Sequence, residues 1–190
     1  MNTKKPADRY HAASISLHWA MLILFIAVYA SIELRVLFDK GTWARDAIKE
    51  VHFMLGLLML GLVFVRLAMR AKFPAPRIEP APPKLQALAA KSAHLTLYVL
   101  MLGMPLLGWL LLSASGKPIP FFGLELPALM ATNKAFAGQL KELHELIGTI
   151  GYFLIGAHAG AALFHHYVQR DNTLLSMLPA WITAKPALKS

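Results

Sequence analysis

One apolar stretch, Leu143–Gln169 (LHELIGTIGYFLIGAHAGAALFHHYVQ), most strongly constrains what this chain can fold into. It is long enough to cross the hydrocarbon core of a bilayer, which takes about 20 residues of helix. His144 and His158 lie 14 residues apart within it. On an α-helix this spacing puts them on one face to within about 40° and separates them by about 21 Å along the axis. Because lipid-facing histidine is unfavourable, we expect both imidazoles to point into a bundle and to have partners there.

Three further apolar runs precede this stretch, at Ser14–Ile32, Val51–Met69 and Ala93–Ser113. The chain has 190 residues and is 57% hydrophobic, whereas soluble domains are about 45–50% apolar. Four runs of this length match four crossings of a bilayer. We therefore predict an all-α integral membrane four-helix bundle with up-down topology, forming a single domain over residues 1–190. The predicted helices cover approximately residues 12–34, 50–70, 88–113 and 141–169.

The segments between the apolar runs are predicted to be connectors: Glu33–Glu50, Arg70–Lys91 and Ala114–Lys141. The second contains PAPRIEPAPPK, whose prolines favour an extended polyproline conformation. Basic residues precede the first run, as in a signal peptide, but no small-residue cleavage pattern follows. We therefore predict a retained membrane helix at the N-terminus.

The net charge of +9 is unevenly distributed along the chain. The N-terminus, the second connector together with Arg66 just before it, and the tail hold 12 Lys and Arg and 3 Asp and Glu. The other two connectors, together with Glu142 and Glu145 at the start of the fourth run, hold 7 of each sign. The positive-inside rule therefore predicts that both termini are cytoplasmic. Since membrane topology accounts for the excess of positive charge, no nucleic-acid partner is expected.

A second histidine matches His144 in depth. Because the second and fourth helices run parallel in an up-down bundle, His52 and His144 both lie near the outer side of the membrane. Each is followed four residues later by a glycine, Gly56 and Gly148. A glycine one turn from a ligand leaves room for a flat macrocycle to approach the backbone. The paired pattern predicts a ligand site shared by the second and fourth helices.

A second site is predicted around His158, near the inner side of the membrane. Its partner is either His18 in the first helix or His94 in the third, and depth alone does not choose between them. Arg66 lies 14 residues after His52 and therefore reaches the same inner site. A haem propionate would match this guanidinium; the alternative is that Arg66 extends its charge to the inner membrane interface.

The donor set favours haem over a bare ion. The chain has no cysteine, which excludes disulfides, thiolate clusters and covalent attachment of c-type haem. A zinc site would require further Asp, Glu or Cys ligands at the same depth. Two axial imidazoles at each level suit haem b and leave no open position on iron, which favours electron transfer. His11, His165 and His166 are interpreted as interfacial residues.

The chain resembles the prokaryotic cytochrome b561 family of four-helix dihaem membrane cytochromes. The resemblance covers nearly the whole chain, and its last two motifs point toward the superoxide oxidase branch. The motifs are SISLHW (Ser14–Trp19), YASIELR (Tyr29–Arg35), VHFMLG (Val51–Gly56), VRLAMR (Val65–Arg70), KELHELIGTIGYFLIGAHAGAALFHHY (Lys141–Tyr167) and RDNTLLSMLP (Arg170–Pro179). The resemblance implies that iron is held by His52 with His144 and by His18 with His158. It thereby selects His18 over His94.

The same resemblance implies an activity in the bacterial inner membrane: oxidation of superoxide to dioxygen at the periplasmic face, with reduction of ubiquinone. Because superoxide is an anion, cations near the outer site would speed its capture. Lys141 and Arg35 are the candidates, with Lys134 a weaker third. The alternative for these residues is pairing with Glu33, Glu142 or lipid phosphate.

A second function shares the same helices and cofactors. In it, the chain is a haem-b anchor subunit that passes electrons from a hydrogenase or similar dehydrogenase to quinone. Such a subunit needs a docking face, and the tails and loops here are short, so no obligate protein partner is predicted. The expected partners are superoxide, ubiquinone and membrane lipid. A third interpretation is a histidine-bearing membrane bundle without a cofactor.

Overall fold

The computed structural model describes residues 9–183 and consists mainly of four long helices. They are α1 (Ala12–Leu34), α2 (Trp43–Lys72), α3 (Lys84–Ala114) and α4 (Lys134–Phe164). A single 3₁₀ turn, Arg35–Leu37, follows α1, and a π-helical turn, His165–Gln169, follows α4. Two short helices complete the tail, α5 (Thr173–Met177) and α6 (Ala180–Thr183). The predicted all-α bundle is therefore confirmed.

All four long helices are long and apolar enough to span a membrane. Large apolar side chains remain exposed along them, including Ile23, Phe64 and Phe153, the last 75% exposed. In the interior, Met21, Leu24, Met59, Val63 and Met101 form a buried cluster contributed by α1, α2 and α3. An apolar interior combined with an apolar exterior is the pattern of a bundle immersed in lipid.

Three predicted boundaries were wrong, because the helices extend into the predicted connectors. Thr42 caps α2 by accepting a hydrogen bond from the Arg45 amide, so that helix begins at Trp43 and not near residue 50. Asn133 accepts from the Phe136 amide and starts α4 at Lys134, before the predicted residue 141. The third helix begins at Lys84 instead of 88. The short polar side chains of Thr42 and Asn133 satisfy amides that have no partner within the helix, whereas Pro83 precedes α3 without a side-chain cap.

The α3–α4 connector folds onto the bundle. It contains a small antiparallel hairpin of β1 (Pro120–Phe121) and β2 (Leu124–Glu125). Ile119, just before β1, is 2% exposed and packs with Leu57 and Leu112. We call the end of the bundle that carries this hairpin and the α1–α2 connector the hairpin end.

The opposite end, which we call the tail end, is held together by the segment after α4. The Trp19 indole donates to the Met177 carbonyl at 2.9 Å, and the Tyr10 amide donates to the Ser176 carbonyl. The Asn172 side chain forms two hydrogen bonds with the α2–α3 connector. Its Oδ1 accepts from the Glu79 amide at 2.9 Å, and its Nδ2 donates to the Arg77 carbonyl at 3.0 Å. The tail thus joins the start of the chain, the proline-rich connector and the end of α4.

Candidate functional site

The first histidine pair lies at the hairpin end, between α2 and α4. The His52 and His144 ring centroids are 6.3 Å apart, and the ring planes meet at 76°. Both side chains are half-buried. The structure therefore brings together the two residues that the sequence placed at one depth.

A backbone carbonyl orients His52. Its Nδ1 lies 3.0 Å from the Val28 carbonyl oxygen and 3.4 Å from the Ser31 hydroxyl. Because a carbonyl only accepts, Nδ1 carries the hydrogen, and the other ring nitrogen of neutral His52 keeps a free lone pair. A metal-bound imidazole commonly donates its other ring N–H to a carbonyl in this way.

His144 sits tightly against α3. A methyl group built on Gly108 would lie only 3.4 Å from His144 Cε1. The Nδ1 atom of His144 is buried and has no hydrogen-bond partner among residues 9–183. A buried ring nitrogen without a partner is costly, and this one lies on the side of the ring that faces Gly108.

The second histidine pair lies at the tail end, between α1 and α4. The His18 and His158 centroids are also 6.3 Å apart, with a plane angle of 75°. The His94 ring is also near His158, at 5.5 Å and 67°. His18 and His158 are half-buried, whereas His94 is exposed. The His18–His158 pair therefore repeats the geometry of the hairpin-end pair almost exactly, and the pair containing His94 does not.

Arg66 reaches the tail-end pair, as its spacing from His52 predicted. Its Nη2 atom lies 3.3 Å from His18 Nδ1. A guanidinium only donates, so Nδ1 accepts, and neutral His18 carries its proton on Nε2. If Nε2 bound a metal, the proton of neutral His18 would move to Nδ1, which could then no longer accept a hydrogen bond from Arg66. The guanidinium would be free to bind an anionic group beside the pair.

The two pairs fit the axial sites of haem. A metal–imidazole bond is about 2 Å long and a ring nitrogen lies about 1 Å from the ring centre, so rings on opposite sides of one metal are about 6 Å apart. Both measured separations match this value. Within residues 9–183, no group of three or more His, Cys, Asp or Glu could hold a metal ion. A porphyrin supplies four nitrogens itself, so a site of two imidazoles suits it and does not suit a bare ion.

The two glycines predicted to make room for a macrocycle differ in their surroundings. A methyl group built on Gly56 would meet no atom within 4 Å, whereas one on Gly148 would make an ordinary contact with Met104 Cε at 3.6 Å. Gly56 therefore faces open space beside His52. The proposed role of both glycines stays a prediction.

The two cations that are predicted to attract the substrate, Lys141 and Arg35, lie at the hairpin end and differ in their ion pairing. Lys141 Nζ is 3.0 Å from Glu145 Oε1, and their side chains are 61% and 51% exposed. The partner of Lys141 is thus neither Glu33 nor Glu142. Arg35 is half-buried in the 3₁₀ turn, and no ion pair of Arg35 occurs among the residues that the structure describes.

The histidines interpreted as interfacial have local partners. The His11 ring stacks on Phe73 with a centroid distance of 3.9 Å. His165 Nδ1 lies 2.5 Å from the Asp171 carboxylate. His166 contacts the ring of Tyr167. Among residues 9–183, no hydrogen bond or ring contact joins any of these three to either histidine pair.

Several contacts at the site were not anticipated from the sequence. They involve Val28 and Ser31 beside His52, Gly108 beside His144, and Tyr29, whose hydroxyl donates to the Gly148 carbonyl at 3.0 Å. No local pattern marks these residues, because each acts across a helix interface whose register depends on the assembled bundle.

A membrane-spanning helical bundle with a histidine pair near each end is the arrangement of a membrane-bound b-type cytochrome. The sequence profile described as prokaryotic cytochrome b561 matches residues 9–180. The chain therefore belongs to the prokaryotic cytochrome b561 family, whose members bind haem b and transfer electrons in the membrane. It is accordingly a bacterial integral membrane protein of oxidoreductase type.

Three curated relatives match over most of both chains. Cytochrome b561 homolog 1 of Escherichia coli (strain K12) is 42% identical over 172 residues, which is 90% of this chain and 98% of the relative. The probable superoxide oxidase CybB of Yersinia pestis is 36% identical over 171 residues, 90% of this chain and 96% of the relative. Cytochrome b561 homolog 2 of Escherichia coli (strain K12) is 33% identical over 181 residues, 94% and 95% of the two chains.

Proposed function

We propose that this chain is a dihaem cytochrome of the bacterial inner membrane that oxidises superoxide to dioxygen at the periplasmic side and reduces ubiquinone. One observation carries the proposal: two histidine pairs of equal separation and angle occupy opposite ends of one membrane bundle. The substrate is supported by the Yersinia pestis relative named a probable superoxide oxidase. Each superoxide gives up one electron, so two superoxides and two protons convert one ubiquinone to ubiquinol.

In this proposal His52 and His144 would hold one haem b, and His18 and His158 would hold the other. Haem iron, when bound, supplies one-electron redox chemistry. The two imidazoles at each level would hold the iron and keep other ligands off it. The matching separation and angle support His18 over His94 as the partner of His158. Arg66 would pair with a propionate at the tail end, and Gly56 and Gly148 would leave space beside the hairpin-end ligands.

The proposed orientation places the tail end in the cytoplasm. The cations that favour it within the described residues are Arg9, Arg66, Arg70, Lys72, Arg77, Lys84, Lys91 and Arg170. Lys4, Lys5, Lys185 and Lys189 also count toward it but lie outside the described residues. A surplus of Lys and Arg marks the cytoplasmic side, and the hairpin end then faces the periplasm.

Lys141 and Arg35 would attract superoxide to the periplasmic side. The positive charge of Lys141 is partly offset by Glu145, whereas Arg35 has no ion-pair partner among residues 9–183. Arg35 therefore contributes the less compensated positive charge at this end. A cationic surface raises the rate of encounter with a small anion.

The test is superoxide-driven reduction of a ubiquinone analogue by the purified, haem-loaded chain in detergent or proteoliposomes. We expect ubiquinol to form at the expense of superoxide, and addition of superoxide dismutase to abolish the reaction. His144→Ala serves as the matched inactive variant. Haem-loaded protein that leaves the superoxide decay rate unchanged would contradict the proposal and would favour the electron-transfer anchor subunit.

A further inference from the structure

We propose that Tyr29 is a positioning residue for the hairpin-end histidine pair, held in place by a latch of Tyr152 and Glu33. The inference rests on the proposed dihaem function. Through Tyr29 the chain would set the properties of one of the two sites independently of the other.

The Tyr29 side chain is seated in a socket on α4. Its hydroxyl donates to the Gly148 carbonyl at 3.0 Å, one helical turn after His144. A methyl group built on Gly151 would lie 2.3 Å from the Tyr29 hydroxyl oxygen and 3.3 Å from Leu100 Cδ2. Such a contact is impossible without movement, so the socket exists only because residue 151 is glycine.

The backbone beside Tyr29 holds the other member of the pair. The carbonyl of Val28, the preceding residue, lies 3.0 Å from His52 Nδ1. One short piece of α1 therefore contacts α4 through the Tyr29 side chain and α2 through the Val28 main chain. A displacement of this piece would change the surroundings of both His52 and His144.

A second tyrosine fixes the orientation of the first. The Tyr29 and Tyr152 rings have centroids 4.2 Å apart. The Tyr152 hydroxyl donates to Glu33 Oε1 at 2.9 Å, and Glu33 lies one turn after Tyr29 on α1. The contacts thus run from α1 to α4 and back to α1, which restrains the two helices at the level of the hairpin-end pair.

The expected consequence is specific to one site. A hydrogen bond from a ligating imidazole to a carbonyl raises the basicity of the ligand and so favours the oxidised metal. If Tyr29 loses its bond to Gly148, α1 can move relative to α4, and the His52–Val28 hydrogen bond weakens. The reduction potential of the hairpin-end haem should then rise. The tail-end pair is contacted by Arg66 and not by this latch, so its potential should stay unchanged.

The experiment is a redox titration of the haem-loaded protein, with low-spin electron paramagnetic resonance spectra recorded alongside. The variants are Tyr29→Phe, which removes only the hydroxyl, and Gly151→Ala, which blocks the socket and leaves Tyr29 intact. Tyr167→Phe is the matched control, because Tyr167 is 70% exposed and lies beyond α4. His52→Ala identifies which signal belongs to the hairpin end.

We expect both socket variants to retain two haems and to shift the reduction equilibrium of the hairpin-end haem at least threefold, with a changed spectral signature for that haem alone. Tyr152→Phe should give a smaller shift in the same direction. Equal shifts at both haems, no shift at either, or loss of both haems from both socket variants would each overturn the role of Tyr29. Wild-type protein with fewer than two haems would instead refute the proposed function.

Discussion

At the scale of single residues, the two histidine pairs are distinguished by their neighbours. His52 is oriented by the Val28 carbonyl, whereas His18 is contacted by the Arg66 guanidinium. The Val28 carbonyl would make a metal-bound His52 a more basic ligand, whereas His18 would have no carbonyl acceptor at its Nδ1 among residues 9–183 once Arg66 had left it. We therefore expect the two haems to differ in reduction potential, with the hairpin-end haem the lower of the two.

Removal of one histidine should abolish one haem and spare the other. His52→Ala and His144→Ala should each lose the same haem, so that haem content falls by about half, because each iron keeps only one of its two axial ligands. His18→Ala and His158→Ala should lose the other. The measurement is pyridine haemochrome absorbance per chain, together with the spectrum of the remaining haem.

His94→Ala is the control for these four substitutions. Its ring lies close to His158, yet its side chain is exposed and its pair geometry differs from that of the other two. We expect this variant to keep both haems. Loss of the tail-end haem from His94→Ala would overturn the assignment of His18.

At the scale of elements, sequence reasoning found the helices but not their exact ends. The helices were located from four continuous apolar runs, since a helix that crosses lipid must be apolar along its length. The first turn of α2 holds Arg45 and Asp46, and the first turns of α4 hold Lys134 and Lys141. Because these charges interrupt the apolar runs, both segments were assigned to connectors. Thr42 and Asn133 are recognisable helix caps and could have corrected both boundaries.

The tail is the element whose role was least predictable. RDNTLLSMLP is recognisable as a motif, but its contacts join residues far apart in sequence, such as Trp19 with Met177.

Within the tail, burial of Asp171 acts to raise its pKa. Hydrogen bonds from His165 and Thr173 outweigh this effect, so the pKa lies below its usual value of 3.8. Asp171 therefore stabilises the fold in its ionised form.

This stabilisation predicts a pH dependence with a definite sign. A carboxyl with a lowered pKa stabilises the fold above its unfolded pKa of about 3.9 and ceases to do so as the pH falls through the folded value. Asp171→Asn should cost about 1.5–3 kcal/mol at pH 7, the range for hydrogen bonds to a charged group. Thermal unfolding from pH 7 to pH 3 measures it. The difference in the free energy of unfolding between wild type and variant should persist down to about pH 4 and shrink below it. A difference that does not change with pH would contradict the role of the ionised carboxylate.

At the scale of the whole molecule, the distribution of charge predicts the orientation of the bundle in the membrane. The two ends differ in their excess of cations, and Lys141 on α4 and Arg35 after α1 belong to the hairpin end. The sequence predicted the presence of these cations there. It did not predict that Glu145 would be the partner of Lys141. Two other carboxylates competed for that role, because Glu142 is close to Lys141 in sequence and Glu33 was expected at a similar membrane depth.

The Lys141–Glu145 pair gives a test of electrostatic capture with variants of opposite sign. Lys141→Gln should slow the second-order reaction with superoxide roughly twofold, and Glu145→Gln should accelerate it by a similar factor, because each changes the local charge by one unit. Stopped-flow haem absorbance after mixing with superoxide measures both rates. Both effects should fade at about 0.5 M salt, where screening is strong. Equal rates in the two variants at low salt would remove the support for a cationic entrance.

The paired histidines were predictable because helix period and membrane depth are regular, so that spacing along one helix translates directly into position. The choice of His18 over His94 was not predictable in this way. Both lie at similar depth, and the rotation of α1 and α3 about their axes depends on packing such as the contact of Gly108 with His144. The Tyr29 socket escaped sequence reasoning for the same reason, since it requires α1, α3 and α4 to meet at one level.

The most direct test of the central claim is the haem content and spin state of the purified chain. Two histidine pairs of matching geometry predict two b-type haems per chain, both low-spin, with no binding of carbon monoxide to the reduced protein because each iron has two axial imidazoles. Pyridine haemochrome analysis combined with electron paramagnetic resonance gives the count and the spin state together. One haem per chain, or a high-spin haem that binds carbon monoxide, would contradict the account.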